Sequence, residues 1–336
     1  MKIAIHHRKG SFSDRWIAYC KVNGVDYKLV NCYANDIIEQ ISDCDALMWH
    51  FHHTSERDVK FAKQLLYSVQ AIGKKVFPDF NTAWHFDDKV GQKYLLEAIG
   101  APMVPTYIFY SRQDALTWAK KVRWPKVFKL RGGAGSQNVK LAKNKRDGIK
   151  LINTAFGKGF KQYEAWSNLK ERWRKFRLGK KAGIEVFKGI LRLIHPPKFS
   201  NMMGKEIGYV YFQDFIPNNN FDVRIIVIGD KAFAIKRPVR KNDFRASGGG
   251  EIIYHKEEID ERCVKIAFEA NEEIKSQSIA YDFVFDQNNN PLIVEISYGY
   301  SVAAYDDCEG YWTKDMQWHS GTHFDFCGWM VNLMLK

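Results

Sequence analysis

The stretch AYDFVFDQNNNPLIVEIS, residues 280–297, constrains this chain more than any other. Two runs rich in β-branched and aromatic residues flank the polar cluster Gln287–Asn290, the pattern of an antiparallel hairpin. With a four-residue loop, Asp286 faces Pro291, Val284 faces Ile293 and Asp282 faces Glu295. Like charges directly opposed in an antiparallel pair are destabilising. The pairing therefore makes sense chiefly where a cation joins the two carboxylates. Magnesium suits it, because that ion takes one or two carboxylates and fills its other positions with nucleotide phosphates and water. Ser297 falls on the same face and offers a hydroxyl. The competing arrangement is structural, with one carboxylate pairing with Arg224 or Arg245.

A second feature is the run VFKLRGGAGSQNVKLAK, residues 127–143. A Walker-type loop needs a lysine and a hydroxyl residue after its last glycine; here Gly132, Gly133 and Gly135 are followed by Ser136, Gln137 and Asn138. A dinucleotide fingerprint needs a helix after the glycines, yet Asn138–Lys143 alternates apolar and polar residues as a half-buried strand does. The loop is expected to join two strands. It can serve as a flap over a nucleotide, its glycines allowing positive φ and close backbone approach and Lys129 supplying a positive charge, or it can be an ordinary glycine hairpin.

The length of 336 residues allows two or three packed units, and a hydrophobic content of 46% argues against disorder. The six cysteines show no C-x-x-C pairing, which points to reduced thiols and away from a zinc site or a disulfide framework. The N-terminus lacks the apolar region of a secretory signal, and no run approaches the roughly 18 apolar residues of a membrane span, so a soluble, cytoplasmic protein is expected. The net charge of +13 is unevenly placed: Lys145–Lys205 holds sixteen Lys/Arg against four Asp/Glu. Such a concentration points to one local basic surface facing an anionic partner rather than to general nucleic-acid coating. Trp166, Leu169, Trp173 and Phe176, then Phe187, Ile190, Leu191 and Ile194, recur at helical spacing within it. Such stripes lie on an anionic membrane face or pack on the core.

Along the chain, Lys2–His6, Lys28–Cys32, Ala46–Phe51 and Lys74–Phe77 read as strands and Asp58–Ile72 as a helix, which together make a small α/β unit with a parallel sheet. Its histidines His6, His7, His50, His52 and His53 sit at strand ends, as metal ligands, substrate-facing groups or polar loop residues. Asp87 or Asp88 caps a helix that carries Leu95, Leu96 and Ile99. Further helices are expected at Ala115–Val122 and Glu257–Ser276, and the chain from Gly208 is dense in β structure. His319 and His323 are four apart but lack an E-x-x-H-like pattern, and no zinc is expected there. Three segments follow: an α/β domain over 1–85, a subdomain with the flap and the basic insertion over 86–207, and a third with the hairpin over 208–336.

Lys129 before the glycine flap, then QDFIPNNNFDVRIIVIGDKAFAIKR, DFRASGGGE and AYDFVFDQNNNPLIVEIS, follow in an order that resembles the ATP-grasp superfamily. The nearer branch is similar to the ribosomal-protein glutamate ligases, the more distant one to D-alanyl-D-alanine ligase. The likeness runs from Asp87 to Ser297 and implies an α/β ATP-grasp fold behind a Rossmann-like pre-ATP-grasp domain, with ATP and Mg2+ as cofactors. It implies that Lys89, Lys129 and Lys236 bind the nucleotide, under a flap of Gly132, Gly133, Gly135 and Ser136. The main chain of Gln213, Asp214, Phe215 and Ile216 would hold adenine. Asp222 would lie on the ribose side, unless it pairs structurally with a neighbouring arginine. Arg224 and Arg245 would neutralise the transferred phosphate, a task that suits fixed guanidinium groups, and Asp282 and Glu295 would bind magnesium together with Ser297. Ser297 departs from the family's E-x-N pattern, in which asparagine is also a metal ligand.

The implied activity is ATP-dependent carboxylate-amine ligation through an acyl phosphate. The alternatives are a kinase of related fold acting on a hydroxyl, and a non-catalytic nucleotide-binding module that docks on a membrane or polyanion. The basic segment favours a cell-envelope glycan or lipid-linked substrate in polysaccharide biosynthesis, met by a protein peripheral at the inner membrane face. No specific nucleic acid is expected.

Overall fold

The computed structural model describes residues 1–53, 55–132, 138–161, 204–239 and 251–336, together with Leu169, Trp173 and Phe176. The chain divides into two units, the first made of Met1–Val104 with Ile216–Lys336 and the second of Pro105–Phe215.

The first unit begins with four parallel strands, β1 (Lys2–His6), β2 (Asp26–Val30), β3 (Ala46–Trp49) and β4 (Lys75–Phe77), in the order β2-β1-β3-β4. They are joined by α1 (Phe12–Val22), α2 (Ile37–Gln40) and α3 (Glu56–Ala71). This is the parallel α/β arrangement that the alternating strand and helix signals predict. β2 lies two residues earlier than expected because its pairing with β1 ends at His6 opposite Val30. Beyond it the Cys32 backbone N–H donates to His6 Nδ1, which turns the chain away. After α4 (Phe80–Ala83), α5 (Lys89–Ala98) is capped by Asp88, whose side chain accepts from the N–H groups of Val90 and Gly91.

The same unit holds a six-stranded antiparallel sheet, β14-β13-β11-β12-β15-β16. Its strands are β11 (Phe221–Ile228), β12 (Lys231–Pro238), β13 (Ser278–Phe285), β14 (Pro291–Ser297), β15 (Gly310–Thr313) and β16 (Trp318–Ser320). Alternation sends Val223, Ile225 and Val227 to one face, where they pack with α8 (Glu261–Ile274), a helix that starts later than the sequence implies because Asp260 caps it. Ile226, Ile228 and Phe233 go to the other face and pack with Phe12, Trp16 and Met330, the last from α9 (Phe326–Leu335). Leu96 of α5 is buried in the α8 core, with Leu95 and Ile99 packed beside it, as expected from their spacing.

The second unit has an antiparallel sheet in the order β5-β10-β6-β7, built from β5 (Thr106–Phe109), β6 (Lys126–Lys129), β7 (Val139–Ala142) and β10 (Val210–Asp214). A two-stranded ribbon joins β8 (Phe160–Lys161) to β9 (Lys205–Glu206). Helices α6 (Arg112–Lys121) and α7 (Lys145–Ala155) cover the sheet through Ala115, Ala119, Ile152 and Ala155. Lys129 pairs with Val139, so the glycine loop does join two antiparallel strands. Among the described residues all six cysteines are unpaired and buried, and no helix is long and apolar enough to cross a membrane.

Candidate active site

Four strands of the first unit bring charged side chains onto one face of the six-stranded sheet. Asp222 and Arg224, two apart on β11, share that face. The register sets Asp222 opposite Arg237 of β12, Arg224 opposite Asp282 of β13, and Asp282 opposite Glu295 of β14. The hairpin count thus places Asp282 against Glu295, but by another route. The turn takes five residues, so Phe285 meets Pro291 and Val284 meets Leu292, not Ile293. Val294 is then the extra residue of a β-bulge, which restores the register at Asp282.

The opposed carboxylates are compensated by the protein's own cations. Arg224 grips Asp282 with a bidentate fork, Nε to Oδ1 at 2.5 Å and Nη2 to Oδ2 at 2.6 Å. Arg237 makes a similar fork to Asp222, with Nε 2.9 Å from Oδ1, and its Nη2 reaches Asp282 Oδ1 at 3.1 Å. Burial opposes ionisation of Asp282, but the charges of Arg224 and Arg237 outweigh it and hold the group at about 2. Asp222, 1% exposed, is pushed by burial up to about 6 against the pull of Arg237. Lys89, buried at the start of α5, places Nζ 3.2 Å from Glu295 Oε1.

Arg237 and Tyr305 are members of this cluster that sequence reasoning missed; the buried Tyr305 lies close enough to Arg224 to interact with its charge. The signal for Arg237 was the alternation along β12. Lys236, expected at the nucleotide, sits opposite Val223 on the other face, where Nζ pairs with Glu258 at 2.5 Å and lies over the Phe221 ring. Asp222 takes the structural pairing with an arginine that its sequence context left open. The Ser297 hydroxyl donates to the Gly299 carbonyl at 3.1 Å and accepts from the Gly299 N–H at 3.2 Å. Arg245 lies outside the described residues. His6 accepts from Cys32 and His50 from Phe12, and among the described residues no group of three His, Cys, Asp or Glu is placed to hold a metal.

The second unit presents two buried lysines. Lys129 Nζ donates to Gln213 Oε1 at 2.7 Å, and Gln213 Nε2 donates to Thr106 Oγ1 at 3.1 Å. Lys126 Nζ lies 2.5 Å from Asp214 Oδ1 and over the ring of Tyr107. The division between the units falls between Phe215 and Ile216. Gly132 is buried next to this strand pair, whereas Gly133, Gly135 and Ser136 lie outside the described residues.

Residues 197–306 match the RimK-like ATP-grasp domain family, a span that contains the whole Asp222, Arg224, Arg237, Asp282 and Glu295 cluster. The chain is similar in fold to a RimK domain ATP-grasp protein from Sphaerobacter thermophilus, at 14% identity and a TM-score of 0.56 over 100% of both chains. Residues 197–306 form a RimK-like ATP-grasp domain. A curated relative, the alpha-aminoadipate–LysW ligase LysX of Saccharolobus solfataricus, is 22% identical over 72% of this chain and 73% of its own length. The biotin carboxylase domain of Hydrogenobacter thermophilus 2-oxoglutarate carboxylase, solved with MgADP, matches at 14% identity and a TM-score of 0.59 over 99% of this chain and 69% of that one.

Proposed function

We propose that the protein uses ATP and magnesium to join a carboxylate to an amine through an acyl phosphate. The observation that carries this reading is the row of Arg224, Asp282 and Glu295, fixed charges on one sheet face with no nucleophile and base pair among them. Such a site works by positioning and charge neutralisation, which phosphoryl transfer to a carboxylate requires. A carboxylate oxygen attacks the γ-phosphorus and ADP leaves. The amine nitrogen then attacks the acyl carbon, the C–O bond to phosphate breaks, inorganic phosphate leaves and the nitrogen loses a proton.

In this reading Arg224 and Arg237 stabilise charge on the transferred phosphoryl group, and Lys129 and Lys89 bind phosphate oxygens, Lys89 by leaving Glu295. Asp282 and Glu295 fit magnesium by donor chemistry, two hard carboxylates on directly paired residues. Magnesium supplies charge neutralisation between phosphate oxygens when bound. The main chain of Gln213–Ile216 carries the adenine role, and Asp222 acts by holding Arg237.

The test is product analysis with paired carboxylates and amines. ADP and inorganic phosphate in equal amounts, formed only when both partners are present, are expected; ADP with a phosphorylated hydroxyl and no free phosphate would instead identify a kinase. For the acceptor, the reading extends to an envelope glycan or lipid-linked molecule at an anionic membrane face. Its support is the basic segment and the exposure of Trp173 (53%) and Phe176 (42%), whose rings lie 6.1 Å apart. Co-sedimentation with vesicles containing anionic lipid, lost on adding salt, is expected, and equal binding to neutral vesicles would remove this extension.

A further inference from the structure

The carboxyl ends of β1 and β3 carry polar groups that the ATP chemistry leaves unused. Open parallel sheets take ligands at the point where strand order reverses, which in β2-β1-β3-β4 lies between β1 and β3. β1 runs out into His7 and Arg8, and β3 into His50–His53, after the last paired residues His6 and Trp49. His50 is 4% exposed and stacks on Phe12, the first residue of α1, with ring centroids 3.7 Å apart.

The hydrogen bonding fixes the tautomer of His50. The Phe12 N–H donates to His50 Nδ1 at 3.2 Å, so Nδ1 is the bare nitrogen and the proton of the neutral ring sits on Nε2. Burial, and then the charge of Arg8, keep the ring neutral. That Nε2–H is buried and meets no acceptor among the described residues, and the same holds for the Nε–H of Arg8. Buried polar groups are nearly always satisfied. Two orphans at one strand-end edge, both donors, therefore mark a place for an acceptor.

The surroundings define its charge. His52 and His53 continue the edge, with ring centroids 6.1 Å from His50 to His52 and 4.0 Å from His52 to His53. Burial first, then neighbouring positive charge, holds both neutral, at about 4. Their loop is anchored by Asp58, which accepts from the His52 N–H and the Ser55 hydroxyl at 2.7 Å each. The positive charges of Arg8 and Lys89 act on His53 and disfavour a metal cation here. With the charge of Lys89 paired to Glu295, Arg8 is left as one guanidinium among neutral imidazoles, which matches a monoanion, whereas a phosphate dianion would call for a second uncompensated cation.

We propose that this edge seats a spectator carboxylate of the ligase substrate, with Arg8 and His50 Nε2 donating to its oxygens. The substrate class is then a molecule that carries a carboxylate besides the groups being joined. The word substrate rests on the ligase reading; the binding of a carboxylate does not.

The test uses glutarate as the probe, without ATP, and follows the imidazole N–H resonance of His50 by nitrogen-15 NMR. Glutarate is expected to shift that resonance saturably, and inorganic phosphate to do so only far more weakly. His50→Asn keeps an oxygen acceptor for the Phe12 N–H but removes the Nε2 donor, and Arg8→Gln removes the charge. Each should weaken glutarate binding at least about tenfold, the loss of one charged hydrogen bond, while calorimetric ATP affinity stays the same. An unmoved wild-type resonance, phosphate binding as tight as glutarate, or variants that bind glutarate as well as wild type would each overturn the proposal. If a variant does not fold, the wild-type resonance alone decides. Failure of the ligase reading would show separately, as absent turnover beside intact glutarate binding.

Discussion

Asp222 and Asp282 share two guanidinium groups in a buried patch, an arrangement whose stability depends on every member staying in place. Removing one partner of a buried ion pair leaves a charge without compensation, at a cost of about 3–5 kcal/mol. Arg237→Met is expected to lose that much in urea unfolding, and adding Asp222→Asn should restore part of it. A loss within about 0.5 kcal/mol, typical of an unremarkable surface change, would show that Arg237 is not the compensating charge. Glu295 is the opposite case: partly exposed and paired with Lys89. Glu295→Gln keeps its size and removes a hard anionic ligand, so turnover should fall by a large factor and need more magnesium, with nucleotide still bound. Full activity at low magnesium would contradict its assignment.

At the scale of elements, the loop after β3 couples folding to pH. His52 and His53 titrate near 4 in the folded protein and near 6.5 when unfolded. Between those values the unfolded chain binds more protons, so their contribution is complete above about pH 6.5 and is lost as pH falls toward 4. Asp222, raised to about 6, works in the opposite sense, favouring the fold at lower pH. The histidine effect is therefore read as a difference: urea midpoints of wild type should fall more steeply between pH 7 and 4 than those of His52→Gln/His53→Gln, and parallel curves would refute it. The elements legible in sequence were those with strong alternation or caps, such as β1, β11, β13 and α5. The Val294 bulge was not legible, because a bulge shifts register without leaving a mark in the alternation of β14. Arg237 was legible in principle, since β12 can turn only one of Lys236 and Arg237 toward Asp222, but the choice depends on a register that β12's own residues do not set. The pairing of Arg224 with Asp282 required knowing that β11 lies beside β13, strands more than fifty residues apart in sequence.

At the scale of the whole molecule, the chain distributes its chemistry between two units: buried lysines beside Gln213 and Asp214 in one, and the arginine-carboxylate row with the strand-end histidines in the other. The net charge of the chain lies almost wholly in Lys145–Lys205, apart from both sets of residues. The central claim is that this machinery makes an acyl phosphate, and trapping that species tests it without knowledge of the amine. The enzyme is incubated with ATP, magnesium, a panel of carboxylates and hydroxylamine, and hydroxamate, ADP and inorganic phosphate are measured together. The account predicts hydroxamate from at least one carboxylate, matched one for one by ADP and phosphate and abolished in Glu295→Gln. ADP accompanied by a stable phosphate ester on a hydroxyl, with neither hydroxamate nor free phosphate, would contradict it.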